Sequence, residues 1–97
     1  YAVNSFLATK VMFFNQLKEF CDDNALNFAK VRSMVITDAR IGPSHSNVTE
    51  QGGFGGACFP KDTKAFSHMD THNRMGVLQT AIDDNAKYGG EDNEPNL

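Results

Sequence analysis

The segment GGFGGACFPKD, residues 52–62, holds the residues whose types and spacing could do chemistry. Four glycines surround Phe54 and lead to Cys58. Pro60 is typical of the first position of a helix, so the Cys58 sulfur is expected near the free amides of a helix N-terminus, with Lys61 close behind. Both features favour the thiolate, and the glycines would let the backbone approach a ligand or adopt dihedrals that side chains forbid. This combination predicts a nucleophile rather than a buried cysteine beside a flexible turn.

Other candidates for chemistry are weaker. His68 and His72 are four residues apart, a spacing seen in zinc sites, but no acidic or cysteine ligand stands at a matching offset, so no metal is expected. Cys21 falls on an apolar stripe and is expected to be a core residue. The GGFGG run, residues 52–56, lacks the preceding strand and the glycine spacing of a dinucleotide-binding fingerprint.

The element that begins the chain is predicted to be a long amphipathic helix, ending near the turn-forming residues 22–24. Met12, Phe13 and Phe20 widen its apolar stripe, which predicts contact on two sides, with its own domain and with a second chain. The stripe itself comprises Val3, Phe6, Leu7, Val11, Phe14, Leu17 and Cys21.

A second, shorter helix is predicted to follow an N-cap at Asn27 and to run through residues 28–37. A strand at residues 35–37 is the alternative, but no partner strand is visible elsewhere. The helix is expected to bury Phe28, Val31, Met34 and Val35. Residues 38–60 then lose all periodicity and are rich in Gly, Pro, Ser, Asn and Thr, and a loop of this length is usually functional or disordered.

Two further helices are predicted after this loop. The first starts with Pro60 at its first position and Asp62 in its first turn, and it directs Phe66 and Met69 inward. The second runs through residues 74–88 and ends at a pair of glycines, Gly89 and Gly90, before an acidic tail that is expected to be mobile. Its apolar face comprises Val77, Leu78, Ala81 and Ile82.

Whole-chain properties narrow the classes of function. The 97 residues form one small domain at most, and a net charge of -3 argues against binding to a phosphate backbone. The apolar runs are far shorter than the ~20 residues of a transmembrane helix, so no membrane is expected. Two cysteines without a secretory signal favour the cytoplasm. Because the chain begins at Tyr1 inside a predicted helix, we expect a piece of a longer protein.

Residues 53–66, GFGGACFPKDTKAF, closely resemble the catalytic-cysteine motif of the UDP-glucose dehydrogenase family. Two more segments resemble that family in the right order: NSFLATKVMFFNQL its long central helix, and DARIGPSH the start of its substrate loop. The resemblance implies an all-α, multihelical central dimerisation domain over residues 1–88, with a long glycine-rich substrate loop and a tail at 89–97. It also implies a parent enzyme that oxidises the C6 alcohol of a UDP-sugar to a carboxylate with two NAD, and a homodimer built on the long first helix.

By this resemblance Cys58 is the catalytic nucleophile, which traps an aldehyde as a thiohemiacetal and is then oxidised to a thioester. Asn4 matches the asparagine that helps to hold the reacting oxygens, and Asp62 matches an aspartate linked to water activation. The family's catalytic lysine would stand immediately before Tyr1. The fragment alone is therefore expected to be inactive.

Binding residues also follow from the resemblance. Phe54 and Gly55 match positions that line the sugar-nucleotide pocket, and Arg40 matches an arginine that reaches substrate bound in the partner subunit. Lys61, with Cys58, falls in a segment that borders the nicotinamide of NAD. Close relatives tend to have a Pro-Gly pair where this chain has Thr49 and Glu50, so the exact sugar nucleotide stays open.

Blander interpretations exist for the single residues. Asn4 is equally suited to an exposed helix start, Asp62 to a helix N-terminus and Arg40 to a surface ion pair. Two functional alternatives also remain open. In the first, the parent enzyme is a GDP-mannose 6-dehydrogenase. In the second, the gene encodes only a helical dimerisation module without catalysis.

Overall fold

A computed structural model describes residues 1–89, and every regular element within them is an α-helix. The predicted all-α fold is confirmed, and residues 35–37 form no strand. Within the described residues, no helix has the length and apolar content needed to cross a membrane. Gly90 and the predicted mobile tail lie outside this range. The elements in chain order are α1 (Ala2–Asp23), α2 (Phe28–Ile36), α3 (Cys58–Met69) and α4 (Gly76–Ala86).

The central element is α1, which packs against each of the other three helices. Its predicted course is confirmed, and it ends at Asp23, where the Asn24 amide group donates to the Phe20 carbonyl at 2.8 Å. Of the predicted stripe, Val11, Phe14 and Cys21 are buried, whereas Val3 and Phe6 are exposed. The core cluster instead forms around residues of α1, α4 and the glycine segment: Ala8, Val11, Met12, Phe54 and Ala81.

The N-cap of α2 is confirmed, because the Asn27 side-chain oxygen accepts a hydrogen bond from the Lys30 N–H at 3.1 Å. The predicted buried side is only partly covered, since Phe28, Val31 and Val35 are half-buried. No residue of α2 is buried, and Met34 is 69% exposed. The physical reason is that α2 makes its main helical contact with α1 alone, so only one edge of it is covered.

Helix α3 begins at Cys58, two residues before the predicted start. Pro60 is therefore the third residue of the helix and Asp62 the fifth, beyond the first turn. The first N–H groups of a helix have no acceptor within it, so proline fits the third position as well as the first. Phe66 is half-buried as predicted, but Met69 in the last turn is exposed.

Helix α4 is shorter than predicted, and of its expected apolar face Leu78 is buried whereas Val77 is exposed. The turn before it is held by Asp70, whose carboxylate accepts the N–H groups of Arg74 and Met75 at 2.9 and 2.7 Å. These hydrogen bonds lower the pKa of Asp70, the bond from Arg74 most of all. After the helix, Gly89 takes up a left-handed φ of 85°.

Candidate active site

The thiol of Cys58 lies at the start of α3 and is exposed. The N–H groups of this first turn have no acceptor inside the helix, and a helix N-terminus carries partial positive charge. Lys61 follows in the same turn, with its side chain 73% exposed. The structure therefore places Cys58 at the start of α3, three residues before Lys61 and open to a ligand.

Asp62 stands four residues after Cys58, so both side chains project from the same face of α3. The Asp62 side chain is only 13% exposed. Its Oδ2 accepts a hydrogen bond from Nδ2 of Asn4 at 2.8 Å, and its Oδ1 lies 3.7 Å from the Lys61 ammonium. Although Asn4 and Asp62 are far apart in sequence, the packing of α1 on α3 brings them together. Four predicted site residues thus share one end of the helix pair.

The glycine segment before α3 is part of the core. Phe54 is 2% exposed, and its ring lies in edge contact with Phe59, with ring centroids 6.3 Å apart. Gly55 is buried beside it. Gly52 and Gly53 adopt left-handed φ values of 78° and 70°, which bears out the expectation that these glycines supply dihedrals closed to other residues.

Two asparagines that hold this segment were not predicted. Oδ1 of Asn15 accepts the Gly53 N–H at 2.8 Å, and Oδ1 of Asn85 accepts the Phe54 N–H at 2.7 Å. The available signal was a polar residue four positions after a buried apolar one, since Asn15 follows Val11 in this way and Asn85 follows Ala81.

Arg40 lies in a different environment. Its guanidinium bonds Asp38 at 2.8 and 3.0 Å and lines an apolar groove of about 290 Å³ with Phe6 and Phe13. The side-chain hydrogen bond, followed by the bond from the Arg40 N–H, lowers the pKa of Asp38, and the carboxylate raises the pKa of Arg40. Lys10 anchors the loop by donating to the Ile41 carbonyl at 2.7 Å.

Comparison with known proteins gives one family. Residues 1–87 match the family model described as the UDP-glucose/GDP-mannose dehydrogenase family, central domain. The chain is 37% identical over 87 residues to the UDP-glucose 6-dehydrogenase of Rickettsia typhi (strain ATCC VR-144 / Wilmington), which covers 88% of this chain and 20% of that protein. It is 36% identical over 91 residues to that of Rhizobium meliloti (strain 1021), covering 90% and 20%.

A third relative is the UDP-glucose 6-dehydrogenase TuaD of Bacillus subtilis (strain 168). It is 45% identical over 65 residues, which cover 67% of this chain and 14% of that protein. The chain therefore spans a fifth or less of the length of these curated relatives.

Proposed function

This chain belongs to the UDP-glucose/GDP-mannose dehydrogenase family, and we propose that it is the nucleophile-bearing central domain of a UDP-glucose 6-dehydrogenase. In this proposal residues 1–88 form one helical domain. The parent enzyme oxidises the C6 alcohol of UDP-glucose to a carboxylate in the cytoplasm, and the product is a uronic acid for polysaccharide synthesis.

The observation that carries the proposal is the group formed by Cys58, Asp62 and Asn4. An exposed thiol at a helix N-terminus is a suitable nucleophile, and a mostly buried carboxylate one turn further along is a suitable base. The Asn4 amide is fixed by its bond to Asp62, and that bond uses one of its two Nδ2 hydrogens. The second hydrogen can be donated to a reacting oxygen of the substrate.

The residues present fit the edge of a nicotinamide site. Cys58 and Lys61 are both exposed on one open surface, which can border NAD without enclosing it. The remainder of the NAD site would come from the part of the parent enzyme outside this chain. The chemistry that bound NAD supplies is hydride acceptance, once from the alcohol and once from the thiohemiacetal.

Cys58 acts between the two oxidations. Its sulfur forms a bond to the aldehyde carbon while the aldehyde oxygen gains a proton, which gives the thiohemiacetal. The second oxidation leaves a thioester on Cys58. Asp62 takes a proton from a water molecule, the water oxygen bonds to the acyl carbon, and the carbon–sulfur bond breaks. The carboxylic acid releases its remaining proton to solvent, which leaves the carboxylate and the Cys58 thiolate, and the site is regenerated once Asp62 also passes its proton to solvent.

Substrate contacts are also proposed for Phe54, Gly55 and Arg40. Because the Phe54 ring is in the core and its N–H is bonded to Asn85, its contact with a sugar nucleotide would come through the carbonyl. Gly55 would contribute its backbone in the same way. The exposed guanidinium of Arg40 suits the diphosphate of a substrate held by a second subunit.

The proposed function is tested with the complete open reading frame that encodes this chain, supplied with NAD and UDP-glucose. We expect two NADH for each UDP-glucose, because the alcohol is oxidised twice before release. NADH from GDP-mannose and none from UDP-glucose would favour the GDP-mannose 6-dehydrogenase alternative. The absence of NADH with both sugar nucleotides would refute the dehydrogenase and leave a helical dimerisation module.

A homodimer through α1 is the second part of the proposal. Phe6, Phe13 and Phe20 stand seven residues apart on α1, and they are 69%, 59% and 56% exposed. Exposed apolar patches of this kind mark interaction surfaces, and a twofold interface uses the same patch on both copies. The groove that Arg40 lines adjoins this face through Phe6 and Phe13, which supports a role of Arg40 toward a partner's substrate.

Phe13→Asp is expected to convert the dimer into a monomer. Burying one phenylalanine contributes about 1.5–3 kcal/mol, and a twofold interface contains it twice, so the dissociation constant should rise by at least about 100-fold. Sedimentation equilibrium would measure the change, with Met69→Asp on α3 as the control because Met69 is similarly exposed on another helix. A wild-type chain that is monomeric at every concentration would contradict the proposal.

A further inference from the structure

We propose that Asn15 and Asn85 are positioning residues for Cys58, acting through the glycine segment at residues 52–56. This inference rests on the proposed function, because it assigns these two asparagines to the nucleophile of that function. Both are almost completely buried, with exposures of 2% and 5%. They reach the segment from two different helices, since Asn15 belongs to α1 and Asn85 to α4.

Their side-chain oxygens bind two successive backbone amides. The Gly53 N–H donates to Asn15 at 2.8 Å and the Phe54 N–H to Asn85 at 2.7 Å. The Asn15 amide is itself fixed, because its Nδ2 donates to the Val11 carbonyl at 2.8 Å. A buried N–H without an acceptor is costly, so these two bonds hold the segment against both helices.

The approach is so close that only glycine fits. A Cβ on Gly53 would lie 2.2 Å from Oδ1 of Asn85, and a Cβ on Gly52 would lie 2.5 Å from the ring of Tyr88. Both glycines also have left-handed φ values. The segment is therefore packed closely against α1 and α4. This packing requires residues without a side chain at positions 52 and 53.

The hydrogen-bonded segment is connected to Cys58 through two phenylalanines. Asn85 fixes the backbone of Phe54, whose buried ring packs against Phe59. Phe59 directly follows Cys58, and its carbonyl accepts a hydrogen bond from Oγ1 of the buried Thr63 at 2.8 Å. The start of α3 is thus tied to the segment by packing and to its own second turn by a hydrogen bond. Loosening the segment should let the first turn of α3 fray and remove the helix amides from the Cys58 sulfur.

The test uses the complete protein and does not depend on its turnover. Asn85→Leu removes the acceptor and keeps the number and branching of the side-chain heavy atoms, whereas Asn85→Asp keeps an acceptor oxygen and serves as the conservative rescue. Asn15→Leu tests the other bond. Leu78→Ala is the control for a purely structural defect, because it removes buried volume from α4 and leaves both acceptors in place.

Two quantities would be measured by mass spectrometry: deuterium exchange of peptides covering residues 52–57, and the rate at which iodoacetamide alkylates Cys58. Both leucine variants should raise exchange at their own amide about tenfold, the effect of one lost hydrogen bond. They should also slow alkylation of Cys58 at least about threefold, because a frayed first turn no longer holds its free N–H groups near the attacking sulfur. Asn85→Asp and Leu78→Ala should alkylate at the wild-type rate.

Either of two results would overturn the inference. One is faster exchange in the leucine variants with unchanged alkylation of Cys58, which would mean that the two asparagines order the segment without affecting Cys58. The other is equal slowing by Leu78→Ala, which would reduce the asparagines to general stability. A protein that makes no NADH while both measurements behave as expected would refute the proposed function and leave the positioning role intact.

Discussion

Replacing Cys58 with serine in the complete protein is expected to lower steady-state NADH formation from UDP-glucose by about 10³-fold or more, the scale seen when a covalent nucleophile is lost. A serine hydroxyl is scarcely ionised at neutral pH and attacks the aldehyde slowly. Where an ester does form, an alkoxide leaves far less readily than a thiolate. Acid release should therefore fail, and a covalent sugar-nucleotide adduct at position 58 should be detectable by intact-protein mass spectrometry.

The matched control is Cys21→Ala, because Cys21 is the other cysteine and is buried in the core with no exposed surface. It should lose some stability and keep its kcat for UDP-glucose. Equal loss of activity in both variants would show that folding rather than nucleophilicity was disturbed. Retention of more than about a tenth of the activity in Cys58→Ser would show that the reaction does not pass through a thioester.

The helices could be predicted where local chemistry alone decides them. Asn27 caps α2 because its side chain reaches the Lys30 N–H, an interaction within four residues of sequence. The predicted start of α3 differs from the observed one because Pro60 is compatible with the first and the third helical positions alike. Local rules therefore predicted that a helix begins here, but they do not distinguish between neighbouring starting residues.

Burial was harder to predict than helicity. Phe6 and Met34 have the apolar spacing of core residues, yet both are exposed in this chain. Apolar periodicity identifies a face that avoids water, but it does not say whether that face meets its own domain or another molecule. For α1 the same stripe includes buried Val11 and exposed Phe6, so only the packed structure separates the two.

The site divides in the same way. The helix-start position of Cys58 follows from its own segment, whereas the bond between Asn4 and Asp62 joins the first helix to the third. No spacing rule predicts such a tertiary contact, and the two residues were grouped only through the family resemblance. Neither the spacing rules nor the family resemblance identified Asn15 and Asn85, because their role appears only when α1 and α4 enclose the glycine segment.

Gly53→Ala is expected to destabilise the domain more than a glycine substitution made in open space. A left-handed alanine and an unpaired Phe54 amide together cost about 2–5 kcal/mol in the free energy of unfolding. The loss arises because the new methyl group would lie 2.2 Å from Oδ1 of Asn85, which must move and release the Phe54 N–H. For a domain of this size the thermal midpoint should fall by roughly 8–40 °C, measured by circular dichroism at one fixed protein concentration.

Gly42→Ala separates the cost of the left-handed backbone angle from the cost of steric overlap with a neighbouring side chain. Gly42 has a φ of 69°, almost that of Gly53, but a Cβ there would meet no atom within 4 Å. Its substitution should cost only the left-handed term of about 1–2 kcal/mol. The difference between the two variants therefore measures the close approach of Asn85. Equal losses would mean that the backbone angle alone makes glycine necessary at position 53, and that Asn85 yields to the methyl group without cost.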